Sequence, residues 1–207
     1  WVRPELMCEV KFANWTQGGR LRAPVFLRLR TDLDPPARPR AALLDAAMQE
    51  ASMTIDGHRL KFTNLDKLYY PQDGYRKRDL LNYYDAVAPL ILPHLKDRPL
   101  SLKRYPDGIE GEFFFQKNTP ERAPAWLTTV TVDKSRAIVG DDRATLLYLV
   151  NLGCIDHNPW MSCVASLAHP DYLLIDLDPQ ECGYERIVEA ALWVRGKIER
   201  AGLEGYP

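Results

Sequence analysis

Three prolines, Pro35, Pro36 and Pro39, fall among charged residues between Leu33 and Arg40. Proline has no N–H and a fixed φ, so neither a helix interior nor a central strand can pass through such a stretch. The chain is therefore divided, with residues 33–52 as a linker between an N-terminal unit, 1–32, and a larger unit, 53–207. The first unit reads as all-β. Residues 5–12 alternate, Leu6, Cys8, Val10 and Phe12 against Glu5, Met7, Glu9 and Lys11, the pattern of a half-buried strand. Gly18-Gly19 predicts a hairpin turn into Arg20-Leu21-Arg22, and Val25 to Arg30 continues as a strand with basic residues at 28 and 30. Ala41–Ala51 reads as a short Ala/Leu helix.

The second unit mixes helices and strands without strict alternation, which predicts an α+β fold. Asp56-Gly57 turns a hairpin whose second arm carries Leu60 and Phe62. Thr63-Asn64 are placed to cap a short helix, Leu65–Tyr70, ended by Pro71. Leu80, Leu81, Tyr84, Val87, Ala88, Ile91 and Leu95 recur at helical spacing, so 77–95 is an amphipathic helix, bent or ended near Pro89 and Pro93. Strands are predicted at 99–104, 112–116, 128–132 and 137–139, an apolar helix at 142–152, and a strand or loop at 154–160. A final helix, 184–201, would turn Ile187, Ala191, Val194 and Ile198 inward.

The run Tyr172-Leu173-Leu174-Ile175 leads into Asp176-Leu177-Asp178-Pro179 and reads as a buried strand. Side chains at i and i+2 of a strand share a face, so Asp176 and Asp178 would present two carboxylates together. Hard oxygen ligands so placed suit Mg²⁺ or Mn²⁺. The same tetrapeptide occurs at Asp32-Leu33-Asp34-Pro35, where arginines and prolines surround it and no strand feeds it. There the aspartates are loop residues.

Three further clusters could carry chemistry. Asn64-Leu65-Asp66-Lys67 and Arg76-Lys77-Arg78 stand near two predicted helix starts, as a phosphate pocket or as capped helices with solvated lysines. Lys103-Arg104-Tyr105 and Phe113-Phe114-Phe115-Gln116-Lys117 could form a base-stacking platform beside a phosphate track, or a strand buried on both faces. In either case three consecutive phenylalanines cannot all face one core. His157, in Asp156-His157-Asn158-Pro159-Trp160, is a structural residue or, if it lies beside the aspartates, one that touches a triphosphate or a metal-bound group.

The bulk composition narrows the class. The chain has 207 residues, 46% hydrophobic and 27% charged, with a formal net charge of -1. No global field draws it to nucleic acid, so any basic surface is local. Cys8, Cys154, Cys163 and Cys182 make no Cys-x-x-Cys pair, against a disulfide framework or zinc site and consistent with a reducing cytosol. No run of 18 apolar residues exists, which argues against a membrane helix. The start, Trp1-Val2-Arg3-Pro4, is not a signal peptide, and the sequence reads as a piece of a longer one.

From about Met53 onward the chain resembles the polymerase domain of bacterial ligase D, in the archaeo-eukaryotic primase superfamily. The resemblance rests on Thr63-Asn64-Leu65-Asp66-Lys67-Leu68-Tyr69-Tyr70-Pro71, Lys103-Arg104-Tyr105-Pro106-Asp107-Gly108, Phe114-Phe115-Gln116-Lys117, the 151–160 segment and Ile175-Asp176-Leu177-Asp178-Pro179, in the family's order. Residues 1–32 resemble the last OB-fold strands of an ATP-dependent DNA ligase, through Trp1-Val2-Arg3-Pro4-Glu5-Leu6, Trp15-Thr16 and the run from Arg22 to Asp32. Arg28 stands where that motif usually has glycine.

The resemblance implies roles. Asp176 and Asp178 would bind two catalytic metals, Mn²⁺ or Mg²⁺. Asn64, Lys67 and Lys77 would hold a 5′-phosphate at a DNA gap or double-strand break. Phe114 and Phe115 would stack on the template, beside the basic Lys103, Arg104 and Lys117. His157 would lie near the incoming nucleotide, an NTP or dNTP with ribonucleotides favoured. Arg28 and Arg30 would belong to the ligase motif that orients ATP phosphates. Ku would be the partner, and the bacterial cytoplasm, at the nucleoid, the location. The family's later phosphate loop and third metal aspartate have no counterpart here, and no Lys-x-Asp-Gly exists to carry AMP. The expectation is that this chain binds DNA ends, polymerises poorly or not at all, and cannot ligate. The competing reading is a non-catalytic DNA-end binding module. A dehalogenase-type phosphatase would need Thr or Val two residues after the second aspartate, where Gln180 stands, and a glycosyltransferase would leave the phosphate and stacking motifs unexplained.

Overall fold

The structure is a computed structural model that describes residues 8–11, 14–15, 21–22, 25–30 and 42–205. In the N-terminal unit β1 (Cys8–Lys11) pairs antiparallel with β4 (Val25–Leu29), and β2 (Asn14–Trp15) pairs with β3 (Leu21–Arg22). The all-β reading holds for these residues, and the Gly18-Gly19 turn lies outside the described ones. Glu9 stands opposite Arg28 and pairs with its guanidinium at 2.7 Å, with Arg30 at 3.8 Å.

Residues 42–50 form turns and bends where a helix was expected. Short-range helical propensity loses to tertiary bonding here. The Asn82 side chain holds Leu44 by both backbone groups, at 2.8 and 3.0 Å, and Leu44 is buried in the core. The β5 (Ala51–Ile55) and β6 (His58–Phe62) hairpin turns at Asp56-Gly57, both at positive φ (49° and 83°), as a two-residue hairpin of this type requires.

The expected helix at 65–70 is also absent. Asn64 takes φ 56°, which breaks helical geometry at the start, and Lys67 N–H bonds back to the Asn64 carbonyl at 3.0 Å. A turn results, followed by β7 (Leu68–Tyr70), which pairs with β8 (Tyr75–Arg76). Helix α1 (Lys77–Leu95) runs through both Pro89 and Pro93 instead of ending at either.

The main sheet has five strands: β9 (Arg98–Arg104), β10 (Phe114–Gln116), β11 (Thr129–Val132), β12 (Ser135–Gly140) and β13 (Cys154–Pro159). β9 is central. β10 and β12 pair with its two ends, β13 pairs along its length, and β11 pairs with β12. All these pairings are antiparallel. Leu100, Leu102 and Cys154 face a core completed by Leu81, Ala88, Leu147 and Val150 from α1 and α2 (Arg143–Asn151). The other face of β9 carries Ser101 and Lys103, both partly exposed. Asp142 caps α2 by accepting from Thr145 N–H at 2.7 Å.

The aspartate run departs most from expectation. Residues 172–179 form no strand, and Leu173 and Leu174 are 73% and 67% exposed. Arg98 holds the root of the segment, through an ion pair to Asp171 and a guanidinium 5.0 Å from the Tyr172 ring centre. Helix α3 (Tyr184–Arg200) forms as its periodicity predicts. Its inward face is not covered, however: Ile187, Val194 and Ile198 are half-buried and Ala191 is exposed. Apolar content and period specify a segment's preference, not which neighbour covers it.

Candidate nucleic-acid interface

The 63–67 turn is built by the start of α1. Lys77 N–H donates to the Lys67 carbonyl at 2.8 Å and Arg78 N–H to the Leu65 carbonyl at 3.1 Å. The first two amide donors of the helix are thus used on the protein, and cationic side chains remain to meet an anion. Of the basic run 76–78, Arg78 is structural. Its buried guanidinium donates to the carbonyls of Asp45, Ala46 and Met48 and pairs with Asp66. Arg76 donates to the Asp66 carbonyl at 2.8 Å.

Lys77 is different. It is 4% exposed, and its ammonium donates to the Thr63 carbonyl at 2.9 Å. Burial, then the charges of Lys67 and Arg104, lower its pKa to about 8. A buried cation pressed by two like charges is a site that an anion would relieve. Lys67, at the mouth, donates to the Pro106 carbonyl and to Asp107, each at 2.5 Å. The 106–108 turn is brought there by Gly108, at φ 89°, where a Cβ would lie 2.9 Å from the Leu68 carbonyl oxygen. Asn64 and Lys67 line a cleft of about 570 Å³ with Gln49, Glu50, Leu65 and Asp66. The family resemblance singled out Asn64, Lys67 and Lys77, and the fold brings Lys67 and Lys77 together. The sequence reading missed Arg104 as a neighbour of Lys77 and Asp107 as the counter-ion of Lys67.

A second patch lies across β9 and β10. Phe113, Phe114 and Phe115 are all exposed, so the alternative of a strand buried on both faces does not hold. Phe114 stands opposite Arg104, whose guanidinium lies 5.0 Å from its ring centre. Arg104 is itself fixed by the Leu152 carbonyl at 2.9 Å and Gln116 at 2.6 Å. Phe115 stands opposite Lys103. The Lys103 ammonium lies 4.2, 5.3 and 5.9 Å from the ring centres of Phe113, Tyr105 and Phe115, and 3.7 Å from Asp156. Lys117 follows the strand and is exposed.

His157 pairs with Leu102 and therefore shares the helix-covered face. Its ring centre lies 5.1 Å from that of Tyr84, and both ring nitrogens are buried without a hydrogen-bond partner among the described residues. Burial lowers its pKa to about 4, so it is neutral near pH 7. Asp176 and Asp178 lie in the uncovered segment and have no hydrogen bond or ion pair among the described residues. No group of three or more His, Cys, Asp or Glu side chains fit to hold a metal occurs among the described residues. No described helix is long and apolar enough to cross a membrane.

Known proteins match along both units. The profile of the LigD primase-polymerase domain matches residues 76–207, and that of the C-terminal region of ATP-dependent DNA ligases matches residues 1–33. The multifunctional non-homologous end joining protein LigD of Pseudomonas aeruginosa is 30% identical over 229 aligned positions, covering 100% of this chain and 26% of its own length. The bifunctional LigD of Bacillus subtilis is 33% identical over 151, covering 72% of this chain and 24% of its own length. The chain thus spans about a quarter of these relatives. Among solved structures, the polymerase domain of Mycobacterium tuberculosis ligase D in complex with DNA is similar with a TM-score of 0.58 and 26% identity, over 70% of this chain and 55% of that one. The chain belongs to the LigD primase-polymerase domain family, joined behind the end of an ATP-dependent ligase region.

Proposed function

We propose that this chain is the DNA-end-binding part of a bacterial end-joining enzyme that adds nucleotides at gaps and breaks. The observation that carries the proposal is Lys77, a buried ammonium beside Lys67 and Arg104 with Thr63 as its hydrogen-bond acceptor. A 5′-phosphate fits there. Its two negative charges would meet Lys77 and Lys67, and Asn64 lines a cleft with Lys67. The aromatic strand β10 then meets bases, with Phe114 and Phe115 the pair that matches the family, and Lys103, Arg104 and Lys117 lie beside it. The nucleotide role for His157 rests on the likeness of its segment alone, because its ring packs on Tyr84 beneath the sheet.

Asp176 and Asp178 offer unpaired hard-oxygen donors, the chemistry that Mn²⁺ or Mg²⁺ takes. When bound there, such ions would neutralise an incoming NTP or dNTP and acidify the primer 3′-hydroxyl. Weak or absent polymerisation by this chain alone is part of the proposal, and a module that binds DNA ends without catalysis is the second reading. Residues 1–32, with Arg28 and Arg30, belong by likeness to a ligase region that uses ATP. The linker at 33–52, Ku as partner and a cytoplasmic, nucleoid-associated location complete the proposal. Leu44, buried and bonded to Asn82, ties the C-terminal part of that linker to the folded unit.

Equilibrium binding to a gapped duplex, with and without a 5′-phosphate at the far side of the gap, tests the proposal. The phosphate should tighten binding about tenfold or more, and equal affinity for both duplexes would refute it.

A further inference from the structure

We infer that Asn151, the last residue of α2, is a positioning residue for 5′-phosphate binding: its amide fixes the exit of β6 so that the Thr63 carbonyl holds the Lys77 ammonium in place to meet the phosphate. The inference rests on the reading of Lys77 and Lys67 as a phosphate pocket. It adds a residue that acts on that pocket only through Thr63.

Asparagine is a poor helix residue, because its side chain competes for backbone groups. At the end of α2 both groups of its amide are used, and on another element. The Asn151 Nδ2–H donates to the Lys61 carbonyl at 3.0 Å, and the Thr63 N–H donates to Asn151 Oδ1 at 3.4 Å. These backbone groups belong to residues two apart, so one amide grips the strand exit much as a neighbouring strand would. The β5–β6 ladder ends at the Ala51–Phe62 pair, which leaves Thr63 one residue beyond it. Asn64 follows at φ 56°. The Thr63–Asn64 peptide thus lies outside regular structure, and Asn151 fixes the side of it that leaves β6. The far side is fixed by the Leu65 N–H on the Gln49 carbonyl at 3.2 Å.

That peptide carries the carbonyl that accepts from Lys77 Nζ at 2.9 Å. An ammonium has three N–H donors, so with one directed at Thr63 two remain for an anion. Their directions follow from where the Thr63 carbonyl stands. A buried ammonium that loses its acceptor is costly to keep charged, and the charged form is the one that attracts a phosphate. The end of α2 acts on a second cation as well. The Leu152 carbonyl, next to Asn151, accepts from Arg104 at 2.9 Å, and the Arg104 charge is felt at Lys77. A helix C-terminus carries partial negative charge, which offsets cations gathered there. The mount is firm, because Leu146, Leu147, Leu149 and Val150 of α2 are buried.

The test titrates the full chain with gapped duplexes that carry or lack the 5′-phosphate, at one salt concentration. The proteins are wild type, Asn151→Ala, Asn151→Gln, Lys77→Gln and the Asn151→Ala, Lys77→Gln double variant. Asn151→Ala should lower the phosphate's gain about three- to tenfold, the effect of one buried hydrogen bond, and leave the unphosphorylated gap within about twofold of wild type. Asn151→Gln keeps both amide groups and should lose less. With Lys77→Gln already present, Asn151→Ala should cost nothing further, because its route to the phosphate is cut. The pH at which the phosphate's gain declines should also move down in Asn151→Ala, since a carbonyl bonded to an ammonium favours its charged form. Equal losses on both duplexes, or the same loss of gain with and without Lys77, would overturn the inference and leave Asn151 a structural residue. So would an undiminished gain in Asn151→Ala, with the phosphate pocket left standing. If the phosphate adds nothing in wild type, pocket and inference fail together.

Discussion

Lys77 donates its ammonium to the Thr63 carbonyl at 2.9 Å from a position that is 4% exposed. A lysine is held there at the edge of its own ionisation, because burial and the neighbouring Lys67 and Arg104 bring its pKa down to about 8. Binding of a phosphate needs the charged form. Affinity for a 5′-phosphorylated gap should therefore fall as pH rises above about 8, by up to roughly tenfold per unit, and Lys77→Gln should flatten that dependence. The sign for stability is opposite. Between pH 8 and the unfolded value the unfolded chain binds more protons, so the ligand-free fold gains stability as pH rises through that window. The gain is at most roughly 3 kcal/mol, read by urea melts at pH 7.5 and 10.

Asp107 occupies Lys67 in the absence of DNA, and this ion pair is 74% exposed on the carboxylate side. Such pairs contribute only about 0.2–1 kcal/mol, so a dianionic phosphate displaces the carboxylate at small cost. Asp107→Asn should raise affinity for the phosphorylated gap by about two- to fivefold, checked by anisotropy at fixed salt.

His157 holds its proton less readily than an ordinary surface histidine. Its folded pKa is about 4, below the unfolded value, because its ring nitrogens are buried. The unfolded chain then binds the extra proton between about pH 6.5 and 4, and stability is lost as pH falls through that window, by up to roughly 3 kcal/mol. His157→Leu should remove most of this acid sensitivity in thermal melts at pH 7 and 5.

Much of this was legible in the residues. The Leu80-to-Leu95 period gave α1, Asp56-Gly57 gave its hairpin, and the triple phenylalanine gave a strand with rings on both sides. The misreadings share one cause. The 65–70 helix failed at Asn64, whose positive φ departs from helical geometry, and the turn that follows is bonded to the α1 start, a contact that no local pattern reveals. The 41–51 helix yielded to Asn82 and Arg78, more than 30 residues away. Arg78 read as one of three like cations, yet four oxygen acceptors make it structural. The apolar run before Asp176 told of a preference for burial and nothing of the neighbour that would supply it.

Under the proposed metal role, substitutions at Asp176 and Asp178 separate catalysis from binding. In a full-length LigD enzyme that carries this domain, Asp176→Ala and Asp178→Ala should each reduce metal-dependent nucleotide addition by at least about a thousandfold. The affinity of the phosphorylated gap should not change, because the cleft at Asn64 and Lys67 contains neither residue. Primer-extension assays in Mn²⁺ beside binding titrations read both effects.

The coupling between Lys67 and the 5′-phosphate is the measurement to make first. Wild type and Lys67→Ala are titrated with gapped duplexes that carry or lack the phosphate, at one salt concentration, in a double-mutant cycle. If Lys67 holds the phosphate, its removal should erase most of the phosphate's gain, about ten- to a hundredfold, and leave binding of the unphosphorylated gap nearly unchanged. An equal loss on both duplexes would show Lys67 acting as a general cation or a structural residue, and would contradict a phosphate pocket at this turn.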